Sequence, residues 1–243
     1  MSDPARLLKV VEATWPAASR TQIGPWTIRD EQGGGKRASA ATATGPVTAR
    51  DIPVAERAMA DLGQRPLFMI RAGDEALDDL LSRANYEILD PVDIFAIPLA
   101  DLNLPAPHRL GAIPSWPPLA IQREIWGAGG IGPARVAVME RACSPKITFL
   151  SRRDDRPAGT AFAAIHDGIA MVHALEVLPE YRRRGVARAL MAGVRKWALH
   201  EGAADLALAV TKANTAAQGL YSSLGMARVG QYHYRMKTKE SQS

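Results

Sequence analysis

The stretch LEVLPEYRRRGVARALM (175–191) limits what this chain can fold into more than any other. A mostly apolar run, Leu175 to Leu178, reads as the end of a buried strand. Pro179 then stops the ladder, because it has no N–H to donate and its ring fixes φ. After the basic turn Arg182-Arg183-Arg184-Gly185, Val186, Leu190, Val194 and Trp197 recur at the spacing of one helix face. The unit is therefore strand, basic glycine-containing turn, helix N-terminus. A helix start presents unpaired N–H groups and the positive end of the dipole, which suits a phosphorylated ligand. Gly185 allows close backbone approach, Ala187 keeps the next turn small, and the arginines add charge. The P-loop and dinucleotide signatures are both missing. Taken alone, the stretch also fits a solvated basic helix start.

The next segment narrows the choice. LALAV (206–210) is a strand candidate, and TKANTAAQGLYSSLGM (211–226) reads as a helix with Asn214 as N-cap and Gly225 as its C′ residue. Ala217, Leu220, Tyr221 and Leu224 make its apolar stripe. Val177–Ala187 and Asn214–Met226 together resemble the GNAT N-acetyltransferase superfamily, which pairs V-x-P-x-x-R-x-x-G-x-[GA] with N-x-x-A-x-x-[LY]-Y-x-x-[LM]-G-[FM]. The resemblance covers about the second half of the chain. It implies an α/β (α+β) fold with a mixed, mostly antiparallel central sheet flanked by helices. Ala187 departs from the glycine of many members and is a tolerated variant.

At 243 residues the chain has room for one large or two small domains. Its 47% hydrophobic and 23% charged residues are ordinary for a soluble globular protein. A net charge of +5 favours anionic partners, which a CoA-type ligand satisfies. Thirty basic residues against 25 acidic ones, with no zinc spacing or basic-aromatic ribbon, disfavour nucleic acid. Cys143 is the only cysteine, so neither a disulfide framework nor a thiolate metal site is expected. No apolar run reaches membrane-spanning length, and MSDPARLLKVVEA lacks a signal-peptide core, so a cytoplasmic protein without a membrane partner is expected.

In the first half, 5–13 reads as a helix, and GPWTIRD (24–30) with KRASAAT (36–42) reads as a hairpin around 32–35. Residues 51–63 and 74–84 read as helices, the second capped by Asp74, and 67–71 and 92–99 as strands. LFMIRAGDEALDDLLSRANYEIL (67–89) aligns without a gap on ALAVTKANTAAQGLYSSLGMARV (207–229), at an offset of 140 (207 − 67). The cap Asp74 meets Asn214, and Asn85 meets Gly225. No arginine cluster precedes Gly45, which falls beneath Gly185, and Leu81 stands where Tyr221 does. A generic strand-helix-strand unit is one reading of this repeat. The other is a degenerate GNAT-like N-terminal lobe, without the cofactor chemistry, over 1–103. A proline-rich linker (104–120) and a catalytic domain (121–243) would follow.

In the second half, 121–142 reads as two helices broken by GAGGIG, either a long turn or a mobile lid. KITFLSR (146–152), GTAFAAIHDG (159–168) and IAMVHALEVL (169–178) read as antiparallel strands, with turns at Asp154-Asp155 and Asp167-Gly168. YHYRMK (232–237) reads as the last strand and 238–243 as a frayed tail.

The resemblance implies direct transfer of an acetyl group from acetyl-CoA to a primary amine, with no metal. Such an amine, with a pKa near about 10, must lose a proton before it attacks, and the leaving thiolate gains from a proton donor. Tyr221 matches the family's tyrosine acid and reads otherwise as a core aromatic. Glu176, a carboxylate in an apolar run, is the candidate base unless strand parity turns it to a solvated face. His173 and His233 are the alternatives, with structural roles open to both. The resemblance further implies that Val177 pairs its backbone with the pantetheine arm and that Arg182, Arg183, Arg184, Gly185, Val186 and Ala187 wrap the pyrophosphate. Arg188 would join them or face solvent. Asn214 would reach the pantetheine or act only as a cap. The rival class is an acyl-CoA-binding sensor or scaffold without turnover. The acceptor amine, a small molecule or a protein amine, and the oligomeric state have no signature in the sequence.

Overall fold

The computed structural model describes residues 3–237, so the expected frayed tail lies outside the described residues. In chain order the first half gives α1 (Pro4–Thr14), β1 (Ser19–Ile23), β2 (Trp26–Asp30), α2 (Lys36–Ser39), β3 (Thr42–Ala43), α3 (Ile52–Asp61), β4 (Leu67–Arg71), α4 (Glu75–Arg83), β5 (Glu87–Pro98) and β6 (Ile113–Ser115). The second half gives α5 (Ala120–Ala128), α6 (Pro133–Arg141), β7 (Lys146–Arg153), β8 (Arg156–His166), β9 (Ile169–Val177), α7 (Val186–His200), β10 (Asp205–Thr211), α8 (Thr215–Ser223) and β11 (Ala227–Met236). A 3-10 turn, Pro179–Tyr181, leads from β9 towards α7.

These elements pack as two units. The larger one holds residues up to Pro16, Ile94–Ala209 and Ala216–Val229. Its strands include the series β10-β9-β8-β7-β6, in which β10 lies parallel to β9 and the other neighbours are antiparallel. Asp154-Asp155 and Asp167-Gly168 both have positive φ, the twist that tight hairpins require, so those turn signals were legible. The small residues of β8 set how its helices approach. Gly159 meets Val186 of α7, with Ala161 and Ala163 on the same face by strand alternation. On the opposite face Phe162 and Ala164 join Trp15, Trp126, Val136 and Met139 in one apolar cluster. So α7 covers one side of the sheet, and α1, α5 and α6 cover the other.

α1 starts where Asp3 accepts the Ala5 N–H and Pro4 occupies the first turn. It buries Leu7, Val10, Val11 and Thr14. It thus packs with the second half of the sequence, not within an N-terminal lobe. The proline-rich stretch differs in the same way from a linker. Ile113–Ser115 pairs with β7 as an edge strand, and Ala112 lies so close to α7 that a Cβ on Gly193 would sit 2.3 Å from it. The Gln122 amide closes this region. It accepts from Ser115 Oγ (2.9 Å), the Leu119 N–H (2.8 Å) and Thr148 Oγ1 (3.2 Å), and donates to Thr160 Oγ1 (3.2 Å).

The smaller unit holds Ala17–Asp93, Val210–Thr215 and the chain from Gly230. It has the antiparallel sheet β1-β2-β3, and β4 pairs with Tyr232–Met236 of β11. Trp26, Phe68 and Tyr86 stack in series at its core, with ring centroids 5.1 and 5.3 Å apart. Of the expected hairpin around 32–35 the antiparallel pairing of Trp26 and Thr27 with Ala43 and Thr42 is present, and a tighter one, two residues wide at Gly24-Pro25, joins β1 to β2. SRTQI was missed because it is an exposed strand with almost no apolar residues. Lys36–Ser39 turns helical instead, since Glu31 accepts the Gly35 N–H (2.8 Å) and Gly35 takes φ 90°. Asp74 precedes α4 but makes no side-chain cap; its carboxylate takes the Arg71 N–H (3.0 Å) and guanidinium (2.8 Å).

The internal repeat is structural as well as sequential. α8 and β11 start 140 residues after α4 and β5 (215 against 75, 227 against 87). Both helices end on a left-handed residue, Asn85 (φ 59°) and Gly225 (φ 79°). The next N–H then reaches back in the same way, Tyr86 to Leu81 O and Met226 to Tyr221 O.

Replacing Gln122 by Leu keeps the volume and removes the amide, so the Leu119 N–H loses its acceptor while Ser115 and Thr148 keep only their bonds to each other. Stability is expected to fall by about 1–3 kcal/mol. Urea unfolding checks this as a lower midpoint at unchanged slope.

Candidate active site

One extra residue in β9 organises the site. Phe162 pairs with His173 and Thr160 with Glu176, so β9 spends three steps where β8 spends two. The surplus is a β-bulge. Ala174 takes φ 49° there, and the Trp126 indole donates to its carbonyl (2.8 Å). Because of the bulge, His173 and Glu176 share a face although Glu176 lies three positions, an odd step, further on. That face is covered by α1 and α5. His173 is buried, bonded to Thr14 Oγ1 (2.8 Å) and 5.0 Å from the Trp15 ring, which makes it a core residue. Glu176 is partly open: its side chain is 22% exposed, lies against the α5–α6 connection at Gly129, and pairs with Arg182 at 3.5 Å. Without the bulge, alternation would set Glu176 on the face that α7 covers, away from His173. His233, the other histidine considered, belongs to the smaller unit and bonds Asp78 (2.8 Å), which also holds Arg235 (2.7 Å).

Beyond the bulge the sheet opens. The parallel register of β9 with β10 ends at Val172–Leu208, so His173–Val177 runs on without that neighbour. The Val177 carbonyl takes Arg182 Nε (3.1 Å). Next comes the basic turn. Arg183 (φ 60°) and Gly185 (φ 82°, ψ 0°) both adopt left-handed backbone, which glycine supplies without strain at the last position before α7. No side chain caps α7, so the N–H groups of Val186, Ala187 and Arg188 point out of its first turn. Arg182, Arg183 and Arg184 are exposed around them. Arg153, which the sequence reading missed, donates to the Arg184 carbonyl (2.9 Å), and Asp154 lies 3.9 Å from the Arg184 guanidinium. These donors and charges fit a diphosphate. Among the described residues, no group of three or more His, Cys, Asp or Glu is placed to hold a metal ion.

α8 is tied to this turn by Arg188, which reaches Ser223 Oγ (3.2 Å) rather than solvent alone. Tyr221, two residues earlier, is buried with its ring 6.1 Å from Phe95 of β5. Burial pushes its phenol up to about 12. It is therefore fully protonated at neutral pH, as a proton donor must be. Asn214 precedes α8, with its N–H on Thr211 O (3.0 Å), and falls within Val210–Thr215 of the smaller unit. Phe95 was beyond the sequence reading because its segment, Ile94–Pro98, comes from the first half and carries no motif.

With this geometry in view, the comparisons are specific. Residues 120–226 match the model of the acetyltransferase (GNAT) family. They form a GNAT acetyltransferase domain. The uncharacterized N-acetyltransferase YobR of Bacillus subtilis is 26% identical over 251 residues, spanning 98% of this chain and 100% of the relative. An aminoglycoside N(6′)-acetyltransferase type 1 of Salmonella typhimurium is 31% identical over 87 residues, 32% of this chain and 60% of that protein. The solved structure of a GCN5-related N-acetyltransferase from Kribbella flavida superposes with a TM-score of 0.71 at 21% identity, over 98% of this chain and 96% of the other. The mixed, mostly antiparallel sheet flanked by helices is thus the GNAT fold.

The Tyr221 phenol should remain neutral well past the usual tyrosine range. The stability that its burial contributes is whole below pH 10 and is lost as pH rises towards 12. Ultraviolet titration of wild type minus Tyr221→Phe should show one tyrosinate appearing near pH 12. A midpoint near 10 would mean that the side chain is solvated.

Proposed function

We propose that this chain transfers an acetyl group from acetyl-CoA directly to a primary amine. The observation that carries the reading is the opening of the sheet after Val172–Leu208 beside an uncapped, arginine-rich start of α7. The free edge of β9, with Val177 at its end, suits the amide-bearing pantetheine arm. Arg182, Arg183, Arg184 and the N–H groups from Gly185 to Ala187 suit the pyrophosphate.

Glu176 then takes a proton from the acceptor ammonium, directly or through water. The freed amine attacks the thioester carbonyl, the C–S bond breaks, the departing thiolate takes the Tyr221 hydroxyl proton, and the second proton that the nitrogen loses on becoming an amide returns through water to the Tyr221 oxygen. The uncharged, buried phenol suits that role, as does the partial opening of Glu176. The acceptor is an amine of unassigned identity, small or protein-borne. The aminoglycoside acetyltransferase relative supports amine acceptors in general for residues in the matched region. The smaller unit is read as the core of a degenerate GNAT-like lobe, supported by the 140-residue repeat of strand, helix and left-handed cap. It lacks an arginine turn and has Leu81 in the place of Tyr221. No described helix is long and apolar enough to cross a membrane, and a cytoplasmic setting fits a CoA thioester donor.

Titration calorimetry of acetyl-CoA and CoA should give binding to wild type and none to the Arg183→Glu, Gly185→Glu double variant. Wild type that binds neither ligand would end the enzyme reading, and binding without turnover of any amine would leave a sensor or scaffold. Glu176→Gln should lower kcat by about 10²–10⁴ while acetyl-CoA affinity holds. Full activity in that variant would assign the proton to another group.

A further inference from the structure

The glycine run between α5 and α6 is not uniform. Gly127 and Gly132 face open space, and Gly130 has φ 81°, which favours glycine for its backbone alone. Gly129 differs from all three. Its φ of −85° and ψ of 6° suit any residue. Yet a Cβ built there would lie 2.7 Å from Cδ, 2.8 Å from Oε2 and 2.9 Å from Cγ of Glu176, its three nearest atoms. A side chain at 129 is therefore compatible only with a displaced Glu176 carboxylate, the neighbour that fills the space.

We propose that Gly129 is a positioning residue for Glu176, its missing side chain forming the berth in which the carboxylate rests. This rests on the reading of Glu176 as the base. The other contacts on the Glu176 segment come from different directions: Thr160 across the β8 pairing, and Arg182 at the Oε1 atom. α5 is itself held by Gln122 and by the Trp126 bond to the bulge, so its C-terminal turn is a fixed wall. A side chain at 129 would leave that wall in place and drive out the flexible end of Glu176. The carboxylate must retreat until the closest contact grows from 2.7 Å to at least about 3.4 Å. Displacements of this size at a reacting group cost about tenfold to a hundredfold in rate. Of the residues assigned to acetyl-CoA, Arg182 alone pairs with the Glu176 carboxylate, at 3.5 Å and from an exposed position, so donor affinity should change little.

The test compares crystal structures of wild type, Gly129→Ala and the open-space control Gly127→Ala. It adds acetyl-CoA affinity by calorimetry and acetylation rates on a panel of kanamycin, spermidine and lysine peptides. Gly129→Ala should displace the Glu176 carboxylate and cut kcat by about tenfold or more. It should shift the acid limb of the pH–rate profile and keep the acetyl-CoA Kd within about twofold, while Gly127→Ala changes none of these. In a Glu176→Ala background the added methyl should cost nothing further. An unmoved carboxylate in Gly129→Ala, or an equal loss in both backgrounds, would overturn the proposal. Displacement of the carboxylate in Gly129→Ala together with full activity of Glu176→Gln would retain the berth and remove the base. The two failures are therefore separable.

Discussion

A hydrogen bond from the Trp126 indole to the Ala174 carbonyl holds the geometry on which the rest of this molecule turns. A left-handed alanine inside a strand is strained, and such a bulge persists only when its surroundings over-determine it. Trp126 is fully buried and brings α5 with it. The bulge turns Glu176 toward α5, and just upstream of it the pairing of β9 with β10 ends. One local irregularity thus sets the facing of a carboxylate in the free stretch of strand. α5 contributes three different things to this: an indole that pins the bulge, an amide at Gln122 that fixes the helix to β7 and β8, and a bare backbone at Gly129.

Charge is distributed unevenly about this frame. The arginines and N–H groups of the turn before α7 are open to water, where they attract anions and cost little to keep. The polar groups deeper in, Gln122, Thr148, Thr160 and His173, are buried and bonded to each other or to Ser115 and Thr14. Tyr221 stands between these classes, a buried phenol raised by desolvation on a helix whose end is tied to the basic turn.

Much of this was legible in the sequence, for reasons that differ by residue. Gly185 and the arginines were readable because turn chemistry and helix ends are local. The strands from 146 to 178 and their two acidic turns were readable for the same reason. Glu176 was found as an anomaly of composition, but its facing was not readable, since strand parity assumes an unbroken ladder and the bulge has no signature of its own. SRTQI escaped because an exposed edge strand needs no apolar alternation. The linear division at 103 and 120 differs from the packed units because proximity in sequence says little about which long-range faces match. Phe95, Arg153 and Gly129 were silent for a further reason: each matters only through a neighbour distant along the chain.

The packing of α1 has a bearing on how the protein is made. Arg6 is paired with Asp167 (2.6 Å), 161 residues further on, and Thr14 with His173. At ribosomal speeds of about 5–20 residues per second, α1 waits on the order of ten seconds for the hairpin that will cover its apolar face. In the smaller unit β4 meets Ala41 early, but its antiparallel partner Tyr232–Met236 comes only with β11. Both units take residues from β11, so neither is complete until that strand has been made. Nascent chains of this protein therefore carry Leu7 and Val10 uncovered until that hairpin is made, a natural load for holding chaperones.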